Sequence, residues 1–111
     1  MSYLVKLADV TEIDRLNARV RLAVSKNTIG EEDVSQGLLR LEPGKAMNEH
    51  IHEKSVEIFF PVEGQCEIVI NGESYHLEPG IIARVPKGVS HYLNNIYDKE
   101  FKVVFTHVPH V

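Results

Sequence analysis

Hydrophobic and polar positions alternate with a period of two along most of this chain. Val20, Leu22 and Val24 alternate with Arg19, Arg21 and Ala23. Cys66, Ile68 and Ile70 alternate with Glu67, Val69 and Asn71, and Phe101, Val103 and Phe105 with Lys102, Val104 and Thr106. Successive side chains of a strand point to opposite faces, so this pattern predicts half-buried strands. Val, Ile, Phe, Thr and Tyr dominate these runs, as a pleated, half-buried surface favours. Val104 alone blurs the last of them.

Turn residues punctuate the runs at Asn27 to Gly30, Pro43-Gly44, Gly64, Asn71-Gly72, Pro79-Gly80 and Pro86-Lys87-Gly88. Asn71-Gly72 lies between two strand-like runs, and both residues tolerate positive φ, which predicts a type I′ hairpin. Many short strands with such turns predict an all-β sandwich or barrel. Residues 9–18 carry the single helical pattern, with Asp9 or Thr11 as cap and Ile13 and Leu16 as its apolar side. Gly30-Glu31-Glu32-Asp33 reads as a solvated loop. With no repeat, linker or low-complexity tract, residues 1–111 read as one domain.

Composition narrows the function classes. The chain has 111 residues, 43% of them hydrophobic and 25% charged, as a soluble globular domain has. A net charge of −4 and scattered lysines and arginines argue against nucleic acid as a partner. The first residues lack the pattern of a signal peptide, and no apolar run approaches the roughly 20 residues of a membrane span. One cysteine, Cys66, forms no internal disulfide. A cytoplasmic protein without a membrane partner is the expectation.

Chemistry enters with two ordered patterns. The first is Gly44-x5-His50-x-His52-x4-Glu57-x6-Gly64, and the second is Gly80-x5-Pro86-x-Gly88-x2-His91-x3-Asn95. On one strand His50 and His52 share a face, with Ile51 on the other. Glu57 starts the next strand-like run, and an antiparallel neighbour can bring it beside them. His91 is distant in sequence, so only the fold can deliver it. Three imidazoles and one carboxylate suit iron, manganese, nickel, cobalt, zinc or copper, one divalent transition ion with open positions. A lone His-x-His would prove little, and Glu57 alone would be a surface carboxylate. The case rests on the ordered set.

That set resembles the two motifs of the cupin superfamily, the first over 44–64 and the second over 80–95, with every position matched. The resemblance implies a jelly-roll β-barrel, a double-stranded β-helix with the metal inside near one mouth. It implies His50, His52, Glu57 and His91 as ligands and Asn95 as a shaper of the strand end. It also implies a homodimer, with Tyr3 to Leu7 a candidate strand for the partner's sheet.

Phe59, two residues past Glu57, is expected to face inward, and Met47 is a candidate for the pocket wall. His107 shares a face with Phe101, Val103 and Phe105; it lines the pocket if that face is inward and is a surface histidine if not. Cys66 reads as a small buried filler. The functional expectation is a metal-dependent enzyme acting on a small polar molecule. Either dioxygenase chemistry or isomerase or lyase chemistry on a sugar acid or keto acid fits. The alternative is a non-catalytic module that binds or senses a small ligand; a mainly structural metal ranks last.

Overall fold

The computed structural model describes residues 3–111. Its strands are β1 (Ile13–Arg15), β2 (Ala18–Val24), β3 (Ser35–Leu41), β4 (Val56–Glu63), β5 (Cys66–Ile70), β6 (Glu73–Leu77), β7 (Ala83–Val85), β8 (His91–Asn94) and β9 (Phe101–Val108). A 3₁₀ turn (Leu7–Asp9) and one short helix, α1 (Lys26–Ile29), complete the elements. The strands form a six-stranded sheet in the order β1-β2-β3-β9-β4-β7 and a three-stranded sheet in the order β6-β5-β8. Every pairing is antiparallel. This is the all-β fold that the alternation predicts, in the jelly-roll form that the resemblance implies.

The core forms where the inner faces of the two sheets meet. Val20, Leu39, Leu41, Phe59, Phe101, Val103 and Phe105 come from the larger sheet, and Cys66, Ile68, Leu77 and Leu93 from the smaller. Burying a Phe or Leu side chain contributes about 1.5–3 kcal/mol, so the barrel does not depend on cross-links. Val104, which blurs the alternation, points outward between Phe60 and Leu38 in the ladder.

The predicted helix over residues 9–18 is not there. After the 3₁₀ turn, β1 and β2 form a hairpin through Leu16-Asn17, whose φ values are 52° and 71°. Two positive φ values in a two-residue loop make the turn whose twist suits a hairpin. Ile13 and Leu16 sit three apart, a spacing that a short strand and its turn satisfy as readily as a helix. The Asn71-Gly72 hairpin forms as predicted, with φ values of 51° and 83° and Ile70 opposite Glu73.

Gly64 closes the turn between β4 and β5 at φ 82°, and a Cβ there would lie 2.4 Å from the Glu100 carbonyl oxygen. Gly64→Ala therefore meets backbone that cannot swing away. The left-handed conformation alone costs a side-chain residue about 1–3 kcal/mol. A fall of at least that much in urea-unfolding stability is expected, and an unchanged midpoint would sink this account of the turn.

Candidate metal centre

The chain segment carrying His50 and His52 is less regular than the strand that the alternation implies. Only His50 joins a ladder, as an isolated antiparallel bridge to His91. In that bridge the His50 N–H donates to the His91 carbonyl at 3.1 Å and the His91 N–H to the His50 carbonyl at 3.0 Å. Two residues on, the Gly88 N–H donates to the His52 carbonyl at 2.9 Å. These bonds dock the second pattern directly on the first. Glu57 comes from the second position of β4, and β8 returns His91 by pairing with β5.

The result is convergent. One donor atom from each of His50, His52, Glu57 and His91 lies within 4.8 Å of the others, a cluster compatible with one metal ion. The hydrogen bonds at the back of the rings support that fit. His50 Nδ1 donates to the Asn48 carbonyl at 2.8 Å, and His91 Nδ1 donates to the Val89 carbonyl at 2.9 Å. A carbonyl only accepts, so the proton sits on Nδ1 and the Nε2 lone pair is free to ligate. His91 Nε2 lies 2.7 Å and His52 Nε2 3.5 Å from Glu57 Oε1. Ligands at ~2.1 Å on adjacent positions of an octahedral ion stand ~3 Å apart, so these spacings match a shared ion.

Electrostatics agrees with ligation. Burial lowers the pKa of His50, which favours the neutral imidazole that binds metal. Burial alone would raise that of Glu57, but His107, His52 and His91 outweigh it and hold the carboxyl below the ordinary carboxylate range. Glu57 is thus a firm anion.

His107 does face inward. It is 3% exposed, and its Nε2 lies 2.6 Å from Glu57 Oε2. That contact is close but off the ring N–H axis, and Nε2 has no aligned hydrogen-bond partner among the described residues. Met47 lies with His107 on the wall of a cavity of about 30 Å³ that also touches His50, His52 and Glu57. Phe59 does not line that cavity; it is fully buried and packs edge-on against the His91 ring, centroids 6.2 Å apart. Asn95 shapes the strand end: its Nδ2 donates to the carbonyls of Leu41 at 3.0 Å and Lys99 at 2.8 Å. Cys66 is fully buried, which pushes its thiol pKa up to about 12 and removes it as a nucleophile.

Several cavity residues have no counterpart among the pocket positions expected from sequence, and one of them is charged. Arg15, from the hairpin read as helix, stands at the cavity together with Leu16.

A family model described as the cupin domain matches residues 37–107. Polyketide synthase CurC of Streptomyces cyaneus is 30% identical over 103 residues, 90% of this chain and 67% of that protein. The HTH-type transcriptional regulator PuuR of Escherichia coli is 29% identical over 68 residues, 61% of this chain, which covers only 37% of the regulator. Among solved structures, a predicted oxalate decarboxylase from Thermotoga maritima superposes with TM-score 0.83 at 18% identity, over 96% of this chain and 98% of that one. KdgF from Halomonas sp. superposes with TM-score 0.82 at 17% identity, over 98% and 94% respectively. At such identities the two structures speak for the fold alone.

Proposed function

The chain belongs to the cupin domain family, and from that premise we propose that it is a metal-dependent enzyme acting on a small polar molecule, with His50, His52, Glu57 and His91 as ligands. The observation that carries this reading is the convergence of four donors, three of which (His50, His52 and Glu57) line a cavity. One divalent transition ion held there would supply Lewis-acid polarisation of a carbonyl or carboxylate oxygen. The chain's own part is to orient the rings through the Asn48 and Val89 carbonyls and to keep Glu57 ionised. Val20, Leu39, Met47 and Phe105 give the cavity dry walls, and His107 places a third imidazole against Glu57, beside His52 and His91.

Within that reading, isomerase or lyase chemistry on a keto acid or sugar acid is the favoured direction, with dioxygenase chemistry beside it. The name of one structural neighbour, a predicted oxalate decarboxylase, speaks for an acidic substrate; the apolar walls are equally at home in an oxygenase. Elemental analysis of protein from its native host identifies the ion. Screening that protein against keto acids, uronates, diketones and thiols then tests for turnover. Full metal occupancy with no turnover on any of them would favour the second reading, a non-catalytic binder, for which the similarity to part of a regulator is the supporting observation.

We further propose a cytoplasmic homodimer, with residues 1–111 acting as one domain. Among the described residues no helix is long and apolar enough to cross a membrane. The outer face of β4 exposes Ile58, Phe60 and Val62, at 37%, 54% and 45%, with Val104 and Leu38 beside them across the sheet. A contiguous apolar patch of this kind marks an interaction surface. Phe60→Lys is expected to convert the dimer to a monomer in sedimentation equilibrium, and a wild-type protein that sediments as a monomer would refute the dimer.

A further inference from the structure

Arg15 differs from Arg19, Arg21 and Arg40 in having no carboxylate partner, and from Arg84 in being half-buried. Arg19 pairs with Asp14 at 3.2 Å, Arg21 with Glu12 at 3.7 Å, and Arg40 with both Glu12 at 2.7 Å and Glu100 at 2.8 Å. Arg84 is exposed on the outer side of β7. Arg15 is half-buried at the cavity and makes no hydrogen bond or ion pair among the described residues. A guanidinium carries five N–H donors in a planar fork, and withdrawing it from water without a partner is unfavourable. Where the sequence needed arginines for structure, it gave them carboxylates. Here it placed one beside the donor cluster and gave it none.

The placement is fixed rather than incidental. Arg15 immediately precedes the Leu16-Asn17 turn, and that turn is fastened to the segment that leads into His50. Asn17 Nδ2 donates to the Ala46 carbonyl at 2.9 Å, and the Asn48 N–H donates to the Leu16 carbonyl at 3.0 Å. Asn48 is the same residue whose carbonyl holds His50 Nδ1. The hairpin tip and the first histidine ligand are therefore registered through one residue, which sets the Arg15 backbone relative to the ring.

Charge points the same way. The chain as a whole carries −4, yet at this cavity a divalent ion and Arg15 together outweigh the single Glu57 carboxylate. Such a site favours an anion, and the geometry of a guanidinium fork favours a carboxylate, which it takes with two parallel hydrogen bonds. The cavity is small and opens to solvent, and its walls of Val20, Leu39, Met47 and Phe105 favour a short ligand whose remainder is apolar.

We propose that Arg15 is the specificity-determining residue of this cavity, binding the carboxylate of a short organic acid whose neighbouring oxygen faces the His50, His52, Glu57 and His91 donors. This deepens the metal-centre reading and rests on it.

The test uses manganese-loaded full-length protein and two probes, 2-oxobutyrate and its neutral amide, 2-oxobutyramide, titrated by calorimetry. Wild type is expected to bind the acid at least about tenfold more tightly than the amide, since a charge-assisted pair supplies that much discrimination. Arg15→Gln should erase the preference while keeping full metal content, Arg15→Lys should restore part of it, and Arg84→Gln should leave it intact. Equal binding of acid and amide by wild type, no binding of either, or an unchanged preference in Arg15→Gln would each overturn the proposal. Failure of the metal reading looks different: manganese content would be nil in wild type, whatever Arg15→Gln does to the acid's affinity.

Discussion

His91→Ala is expected to strip the protein of metal while leaving the barrel folded. Removing a mere hydrogen-bond partner of a ligand typically weakens metal binding about 10–100-fold, and removal of a ligand should exceed that. The variant purified alongside wild type should therefore show metal content near background. The fold should survive because the bonds between His50 and His91 are backbone bonds that alanine retains. What is lost is a fully buried ring against Phe59 and the contact to Glu57, so stability falls but the far-ultraviolet circular dichroism should remain that of a β-barrel. Thermal melts give a second measure. Metal at a thousand times its dissociation constant stabilises a folded protein by about 4 kcal/mol, a shift that wild type should show and His91→Ala should not. Full metal content in the variant would remove His91 from the ligand set.

The contrast between His91 and Arg15 shows which parts of this site can be read from the chain. His91 belongs to a fixed pattern, Pro86-x-Gly88-x2-His91, in which the turn that returns the strand is written next to the ligand it delivers. The strands that frame it alternate cleanly, and Asn71-Gly72 has a backbone preference strong enough to announce its own hairpin. Arg15 has none of this. Its position depends on Leu16 and Asn17 adopting positive φ, which a leucine rarely does and no local pattern signals. Read without that turn, Ile13 and Leu16 look like a helix face, and the guanidinium has no reason to be near His50. His107 stands between the two cases. Alternation on β9 puts it on one face with Phe101, Val103 and Phe105, but which face is inward is decided by β9 lying between β3 and β4, a fact of topology. The exposed Ile58, Phe60 and Val62 are hard to read for the complementary reason: β4 carries apolar residues on both faces, and only the ligand role expected of Glu57 marks the face of Phe59 as the inner one.

Glu57→Gln is expected to lower metal affinity by at least about a hundredfold and to flatten the acid end of the stability profile of the metal-free protein. Glu57 is the one anionic donor of the cluster, and glutamine keeps its size while removing its charge. In the metal-free protein the carboxylate is buried against His107 at 2.6 Å, His91 at 2.7 Å and His52 at 3.5 Å. Loss of the charge leaves these rings poorly satisfied, which costs about 1–3 kcal/mol at neutral pH. The pH dependence follows from signs. The pKa of Glu57 is lower in the folded protein than its ordinary 4.5, despite burial, because the imidazoles outweigh it. The unfolded chain therefore takes up the proton first, and the stability that Glu57 contributes is complete above about pH 4.5 and lost as pH falls toward its folded value. His50 acts in the same direction at higher pH: burial lowers its pKa from 6.5, so the unfolded chain gains a proton first as pH falls below that value. Wild-type stability should accordingly fall below about pH 6.5 and continue falling below 4.5. Glu57→Gln should keep the first decline and lose the second, as read by urea-unfolding midpoints between pH 8 and the acid transition. Parallel curves for the two proteins below pH 4.5 would mean that the carboxylate is not held ionised by its imidazoles.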